Sequence, residues 1–366
     1  MSDPVEATPR QLGWRRFRRH RLGFFCAMLL LAMYITAYLS DFVTPYATDT
    51  RNVSAINAPP MSIHFIDKNG QFHFRPFVYG WDRSINPDTW AREYRENPEL
   101  VFPIRFFSPG EPYKLWGLIP LETHLFTVQN DQYIHLFGTD PLGRDMFSRV
   151  IHGARISLSI GLIGATLTLF FGVLLGGLSG YLGGWTDRII QRIIEVLQSI
   201  PHLPIWMALS AALPVSWSPL LTYFGVTIIL SLLAWPGLAR QVRGRFLALR
   251  EEEFIVAARL LGARKLRVIF RHMLPNFLSH TITIATLAVP AMILGETALS
   301  FLGIGLRPPV VSWGVLLQQA QNYQVIVMSP WLLIPGLFVV VTVMAFNLMG
   351  DGLRDAADPY STQGQK

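Results

Sequence analysis

Six stretches of this chain carry almost no charge and are each close to membrane length: residues 22–40, 156–182, 196–217, 219–239, 277–295 and 331–350. A helix needs about 20 apolar residues to cross a bilayer, where no water satisfies the backbone N–H and C=O groups. The chain is therefore read as an all-α polytopic membrane protein with six transmembrane helices, one for each of these stretches. The share of hydrophobic residues, 51% against 15% charged, points the same way. Pro201, Pro204 and Pro214 fall within 196–217, so that span is expected to be kinked or partly re-entrant.

Arginine sets the orientation. Arg10, Arg15, Arg16, Arg18, Arg19 and Arg21 precede the first span. Arg240, Arg243, Arg245, Arg250, Arg259, Arg264, Lys265, Arg267 and Arg271 follow the fourth. Positive loops stay inside, so both segments and both termini are expected to be cytoplasmic. The net charge of +7 is then a topology signal and gives no reason to invoke nucleic acid. The first span is too long for a cleavable signal peptide and lacks a small-residue cleavage site. The single cysteine, Cys26, lies inside it and has no intrachain disulfide partner. The expected division is a cytoplasmic amphipathic arm at 1–21, a first helix at 22–40, an extracytoplasmic insert at 41–153, a five-helix core at 154–350 with a cytoplasmic loop at 238–276, and a cytoplasmic tail at 351–366.

From Asp41 to about Leu136 the composition turns to aromatic residues, proline and charge. This reads as a small α+β domain. A hairpin is expected around Asn69-Gly70, between 63–68 and 71–75. A second is expected between 105–107 and 113–116, joined through Ser108-Pro109-Gly110-Glu111, with 81–99 as loop and short helix.

Catalytic chemistry is missing from the pattern. A phosphate-binding loop needs a Gly-Lys-Ser/Thr step; the only lysines are Lys68, Lys114, Lys265 and Lys366, none in that context. There is no H-E-x-x-H, no pair of intramembrane aspartates and no Gly-x-Ser-x-Gly elbow. Gly172, Gly176 and Gly180 read as a face for close helix packing. Arg192 and Glu195 are spaced as an i,i+3 pair. His280 reads as a packing residue, and His64, His73, His124 and His135 as solvated side chains rather than a metal site. Glu296, near the outer end of the fifth span, reads first as an interfacial carboxylate paired with Arg307 or another loop arginine and second as an external gate. No cofactor or metal is expected.

Between two apolar runs the chain reads EFIVAARLLGARKLRVIFRHMLP from Glu253 to Pro275. Glu253 and its two preceding glutamates suit a helix start, and the basic residues after Gly262 suit its end. Ala257-Ala258, Gly262 and Leu274-Pro275 sit at the spacing of the "EAA" loop of binding-protein-dependent ABC import permeases, with Phe254 and Leu261 as apolar anchors. Val256 stands where that loop has glutamate, and His272 where it has an apolar residue. Three further blocks resemble the C-type permeases of oligopeptide, dipeptide and nickel importers. The first is Gly138-Thr139-Asp140, Gly143-Arg144-Asp145, Ser148-Arg149 and Gly153 through Arg155 to Leu158. The second is the run from Leu299 to Gly305 with Pro308-Pro309 and Ser312-Trp313-Gly314. The third is LRDAADP, ending at Pro359.

The resemblance implies the type I ABC importer permease fold and a place in a bacterial inner membrane. Its implied partners are a second permease, two ATP-binding subunits and an extracytoplasmic solute-binding protein, with membrane lipid around them. The chain is then a transport subunit without its own ATPase site, coupled through the loop and carrying peptides. Nickel or oligosaccharide as cargo, and a membrane sensor or scaffold, remain alternative readings at this level. A sensor would tolerate a bulky residue at Gly262. The insert is longer than usual for the family, so its role does not carry over.

Overall fold

The computed structural model describes residues 9–85, 87, 92–128 and 132–357. In chain order these form α1 (Pro9–Arg19), α2 (Arg21–Tyr38), α3 (Ser40–Val43), β1 (His64–Ile66), β2 (Phe72–Ile85), β3 (Arg92–Pro103), β4 (Arg105–Leu115), β5 (Ile119–Thr127), α4 (Met146–Leu182), α5 (Gly184–Ser199), α6 (His202–Ala211), α7 (Pro219–Leu249), α8 (Glu253–Leu260), α9 (Lys265–Arg267), a π-helical turn (Val268–Met273), α10 (Leu274–Phe301), α11 (Trp313–Gln318), α12 (Tyr323–Met328) and α13 (Ile334–Ala357). Among the described residues, four helical segments are long and apolar enough to cross a membrane: Arg21–Tyr38, Met146–Leu182, Pro219–Leu249 and Pro330–Ala356. A shorter apolar stretch, Thr286–Phe301, lies in α10. The expected span at 196–217 is not one helix. Its first residues end α5, the chain extends at Ile200, and Pro201 opens α6, only 10 residues long. Proline lacks the N–H that would continue the ladder.

Two compact units divide the chain: 1–31, 159–306 and 339–366 in one, 32–158 and 307–338 in the other. In the first, glycine lets helices approach. A Cβ on Gly176 of α4 would stand 2.5 Å from the carbonyl oxygen of Ala239 on α7, and one on Gly180 would stand 2.8 Å from that of Arg243. Gly172 faces Leu238 on the same helix, as the glycine spacing led us to expect. Substituting Gly176 by valine should therefore force α4 and α7 apart, at about 1–3 kcal/mol or more. The check is the thermal midpoint of the detergent-purified chain, and an unchanged midpoint contradicts the close contact. Gly23 on α2 meets Gly352 on α13 in the same way.

The second unit holds the strands in two antiparallel sheets, β1-β2-β3 and β4-β5, over a core of Tyr46, Met61, Val78, Ile104, Phe126 and Ile134. The first hairpin forms where Asn69-Gly70 placed it: Gly70 has φ +79°, its N–H donates to Asp67 O, and Ile66 pairs with Phe72. The other local expectations fail. Of the loop and short helix expected over 81–99, residues 81–85 and 92–99 are strand instead, with Trp81 opposite Glu96 and Ile85 opposite Arg92, while 86 and 88–91 lie outside the described residues. The Ser108–Glu111 segment is no turn either; it is an irregularity inside β4, where the register shifts between Pro109 and Tyr113. The turn lies further on. Trp116 and Gly117 both have positive φ, and Leu118 N–H closes onto Leu115 O, the geometry of a type I′ hairpin.

Candidate functional site

In the first unit the sequence between α7 and α10 folds into a short, nearly free-standing helix. α8 starts after Glu252, which is extended, and ends on Gly262. There Ala263 N–H donates to Ala258 O and Gly262 N–H to Arg259 O, both hydrogen bonds of a Schellman cap. Gly262 has φ +81° and open space where a Cβ would stand, so glycine serves the backbone conformation and not a close contact within this chain. Leu274 and Pro275 open α10. The helix thus ends at Gly262, and the basic residues behind it belong to α9 and the π-helical turn.

Only one side chain of α8 is buried. Ile255 is 0% exposed and packs in a cluster with Leu238, Val242 and Phe246 of α7 and Val268, Ile269 and Met273 of the π-helical turn. The rest of the helix faces outward. Glu253, Phe254, Val256 and Ala257 are exposed, Ala258 is half-buried, and Leu260 and Leu261 are 83% and 88% exposed. Two adjacent leucines left in water, beside exposed alanine, form a surface that gains by being covered. Phe254 and Leu261, expected from the sequence as anchors, are both exposed. Leu260 and the pin Ile255 were not expected, because one helical turn of sequence does not say which face the rest of the protein takes.

Asp187, another residue without a sequence signal, holds the neighbouring helices. Its two carboxylate oxygens accept from Arg243 Nε and Nη2 of α7, each at 2.6 Å, and Oδ1 also accepts from Ser179 Oγ of α4. The Arg243 hydrogen bonds keep this carboxyl below the ordinary aspartate range. Arg192 and Glu195 do form the i,i+3 pair at 3.0 Å, but both are well exposed and contribute little. Glu296, read first from the sequence as an interfacial carboxylate paired with a loop arginine, is fully buried in α10. Its Oε1 accepts from Ser300 Oγ at 2.8 Å, and that oxygen accepts from Leu306 N–H at 3.0 Å. The side chain of His280 lies outside the described residues.

In the second unit the Gly138 block forms a buried polar knot at the start of α4. Asp140, 0% exposed, accepts from the N–H groups of Leu142 and Arg144, from Arg144 Nε at 2.8 Å and Nη2 at 2.7 Å, and from Arg149 Nη1. Asp145 caps α4: its Oδ2 accepts from the N–H and Oγ of Ser148, each at 2.7 Å. Its Oδ1 meets His135 Nδ1 at 3.0 Å. Asn52 Oδ1 accepts from Ser54, which turns the Asn52 amide nitrogen toward His135 Nε2 at 3.3 Å. That pattern places the His135 proton on Nδ1. The ring is stacked with both Trp81 and Tyr133. His135 and His124 are buried and bonded, correcting their reading as solvated side chains.

The same block clamps the strand-bearing segment. Thr139 Oγ1 accepts from Ala58 N–H and donates to Ala55 O, and Trp331 Nε1 donates to Thr139 O. Gly138 and Gly143 have φ +73° each, and a Cβ would lie 2.7 Å from Ala58 O on the first and 2.2 Å from Asn52 O on the second. Trp313 donates from its N–H to Ser157 Oγ and from Nε1 to Val150 O. Asp41, beyond the end of α2, meets His152 at 3.3 Å and Arg155 at 3.4 Å. The His152 hydrogen bond, helped by Arg155, holds the Asp41 carboxyl below its usual range despite partial burial.

Residues 169–361 match the family of binding-protein-dependent transport system inner membrane components. The chain belongs to this family. Residues 8–60 of the permease also match the N-terminal TM domain of oligopeptide transport permease C. It is 40% identical over 226 residues to the oligopeptide transport system permease protein OppC of Bacillus subtilis, covering 62% of this chain and 72% of that one. The dipeptide transport system permease protein DppC of the same organism is 41% identical over 227 residues, 62% and 68% of the two chains. OppC of Haemophilus influenzae is 42% identical over 231 residues, 62% and 70%. A solved structure of the MetNI methionine ABC transporter aligns with 57% of the permease and 97% of its own chain, at TM-score 0.43 and 19% identity. With its apolar helices, the permease is a multi-pass membrane protein.

Proposed function

We propose that this permease is one of two membrane-spanning subunits of a bacterial inner-membrane ABC importer that takes up peptides handed over by an extracytoplasmic binding protein. The observation that carries the reading is α8, a short helix held by one buried isoleucine with Phe254, Ala257, Leu260 and Leu261 turned outward. Such a face fits a groove on a separate ATPase, and the absence of any Gly-Lys-Ser/Thr step means that the energy arrives from that partner. The peptide cargo follows the named relatives.

In this scheme six spans cross the bilayer, with α10 and the broken α5–α6 segment completing the set, both ends inside and the sheets outside. Closure of two ATPases pushes α8, and rigid-body motion exposes the pathway to the binding protein. Glu296 serves the outer gate by holding Ser300 and, through it, the turn at Leu306. The sheets help dock the binding protein.

The test is uptake of labelled peptide into vesicles holding the complete transporter. ATP-dependent uptake that requires the binding protein is expected, and ATP-independent behaviour overturns the reading. Deleting residues 62–133 should reduce uptake and binding-protein association; unchanged transport removes the docking role.

A further inference from the structure

The β4–β5 hairpin runs along the chain that leaves the first apolar helix, and it points back toward that helix. Glu111 accepts from Ala47 N–H at 3.0 Å and from Thr50 Oγ1 at 2.8 Å; His124 Nδ1 meets Thr44 O; Phe107 lies 6.1 Å from Phe42. At the tip, Trp116 Nε1 donates to Tyr38 O at 3.0 Å, and the two rings lie 4.8 Å apart. The Trp116 N–H also lies close enough to the Asp41 carboxylate to help hold it below its usual range. Both strands and the tip of the hairpin thus meet the segment between Tyr38 and Thr50, and Tyr38, which the tip meets, is the last residue of a helix long and apolar enough to cross a membrane.

The heights agree on the neighbouring helix. Tyr34 Oη donates to Leu158 O, inside the apolar run of α4, while Asp41 pairs with Arg155, just before that run begins. The Asp41–Arg155 pair therefore marks the polar boundary, and Trp116 reaches past it by contacting Tyr38. The tip itself is apolar. Leu115, Trp116, Gly117, Leu118, Ile119, Pro120 and Leu121 follow Lys114 without a charge, and Leu118 is 80% exposed, Ile119 47% and Leu121 38%. Tryptophan at such a boundary, with lysine beside it to reach a phosphate, is the composition of a headgroup-level anchor.

We infer that the β4–β5 tip inserts into the lipid surface where the first span emerges, with Leu118 and Ile119 among the acyl chains. The hairpin is a second membrane contact of the sheet-bearing segment, fixed in depth by Tyr38 and Asp41. The occupant of the tip is lipid because its height is set by the end of a membrane helix and because it offers an uncharged apolar surface between Lys114 and Glu122.

Fluorophore on Leu118→Cys reads this directly, in the assembled transporter reconstituted in phosphatidylethanolamine–phosphatidylglycerol vesicles. Cys26 is buried inside the first span, so the wild type supplies the labelling background. Leu118 and Asn69 are both exposed, so neither variant removes packing; Asn69→Cys, in the β1–β2 turn, is the aqueous reference. Lipids with a nitroxide near the top of the acyl chain should remove most of the fluorescence at 118 and little at 69, while aqueous iodide does the reverse. Iodide quenching at 118 equal to that at 69 overturns the insertion. Protection of 118 from both quenchers also overturns it, by showing protein over the tip.

Discussion

Replacing Leu260 and Leu261 together by aspartate should abolish ATP-driven uptake while leaving the permease folded. The two side chains are 83% and 88% exposed, so the fold loses almost no packing when they change. A groove that receives them loses two apolar anchors and must desolvate two carboxylates. Anchors of this kind contribute about 2 kcal/mol or more each when truncated, so the double change weakens ATPase association by a thousandfold or so, at about 1.4 kcal/mol per tenfold. Co-purification of the ATPase subunits and vesicle uptake measure the two effects, and the thermal midpoint of the permease serves as control. Full uptake with the double variant means that α8 is not where the ATPase docks. Ile255→Ala is the contrasting case: it acts on the permease itself, removing about 2–5 kcal/mol of packing.

Asp140→Ala should be the most damaging single change in the second unit. The carboxylate is fully buried, and its loss leaves Arg149, 1% exposed, without its acidic partner. Breaking a buried pair from one side costs about 3–5 kcal/mol, a large share of the roughly 5–15 kcal/mol that holds a folded domain. The N–H groups of Leu142 and Arg144 lose their acceptor as well. The expected result is low yield and a strongly lowered thermal midpoint. Pairing it with Arg149→Met should recover part of the loss, because no buried charge is then stranded. An unchanged midpoint in the single variant refutes the knot as a stabilising element.

The sequence was most legible where one residue type has one physical use. Gly262 had to end a helix, the Gly172, Gly176 and Gly180 face had to pack, and Asn69-Gly70 had to turn, and each does so. Legibility failed over 81–99. β3 exposes most residues on both faces and carries Pro98, so neither alternation nor an apolar run marks it; its pairing with β2 defines it. Proline and glycine at 109–110 suggested a turn, whereas the real one uses Trp116 in the positive-φ region, a position at which tryptophan gives no warning. Asp187 and Ile255 escaped for a different reason. Their partners on α7 are distant in sequence, and nothing local announces them.

Of the eight residues of α8, Ile255 alone is buried against the remainder of the permease. A part mounted on a single pivot can tilt about that point without surrendering burial, yet a thrust through the point passes undiminished to α7 and to the π-helical turn that leads into α10. The protein has in effect built a ball joint instead of a weld. Under the proposed docking, what crosses it is displacement, while small errors in how the partner seats are absorbed before they reach the membrane.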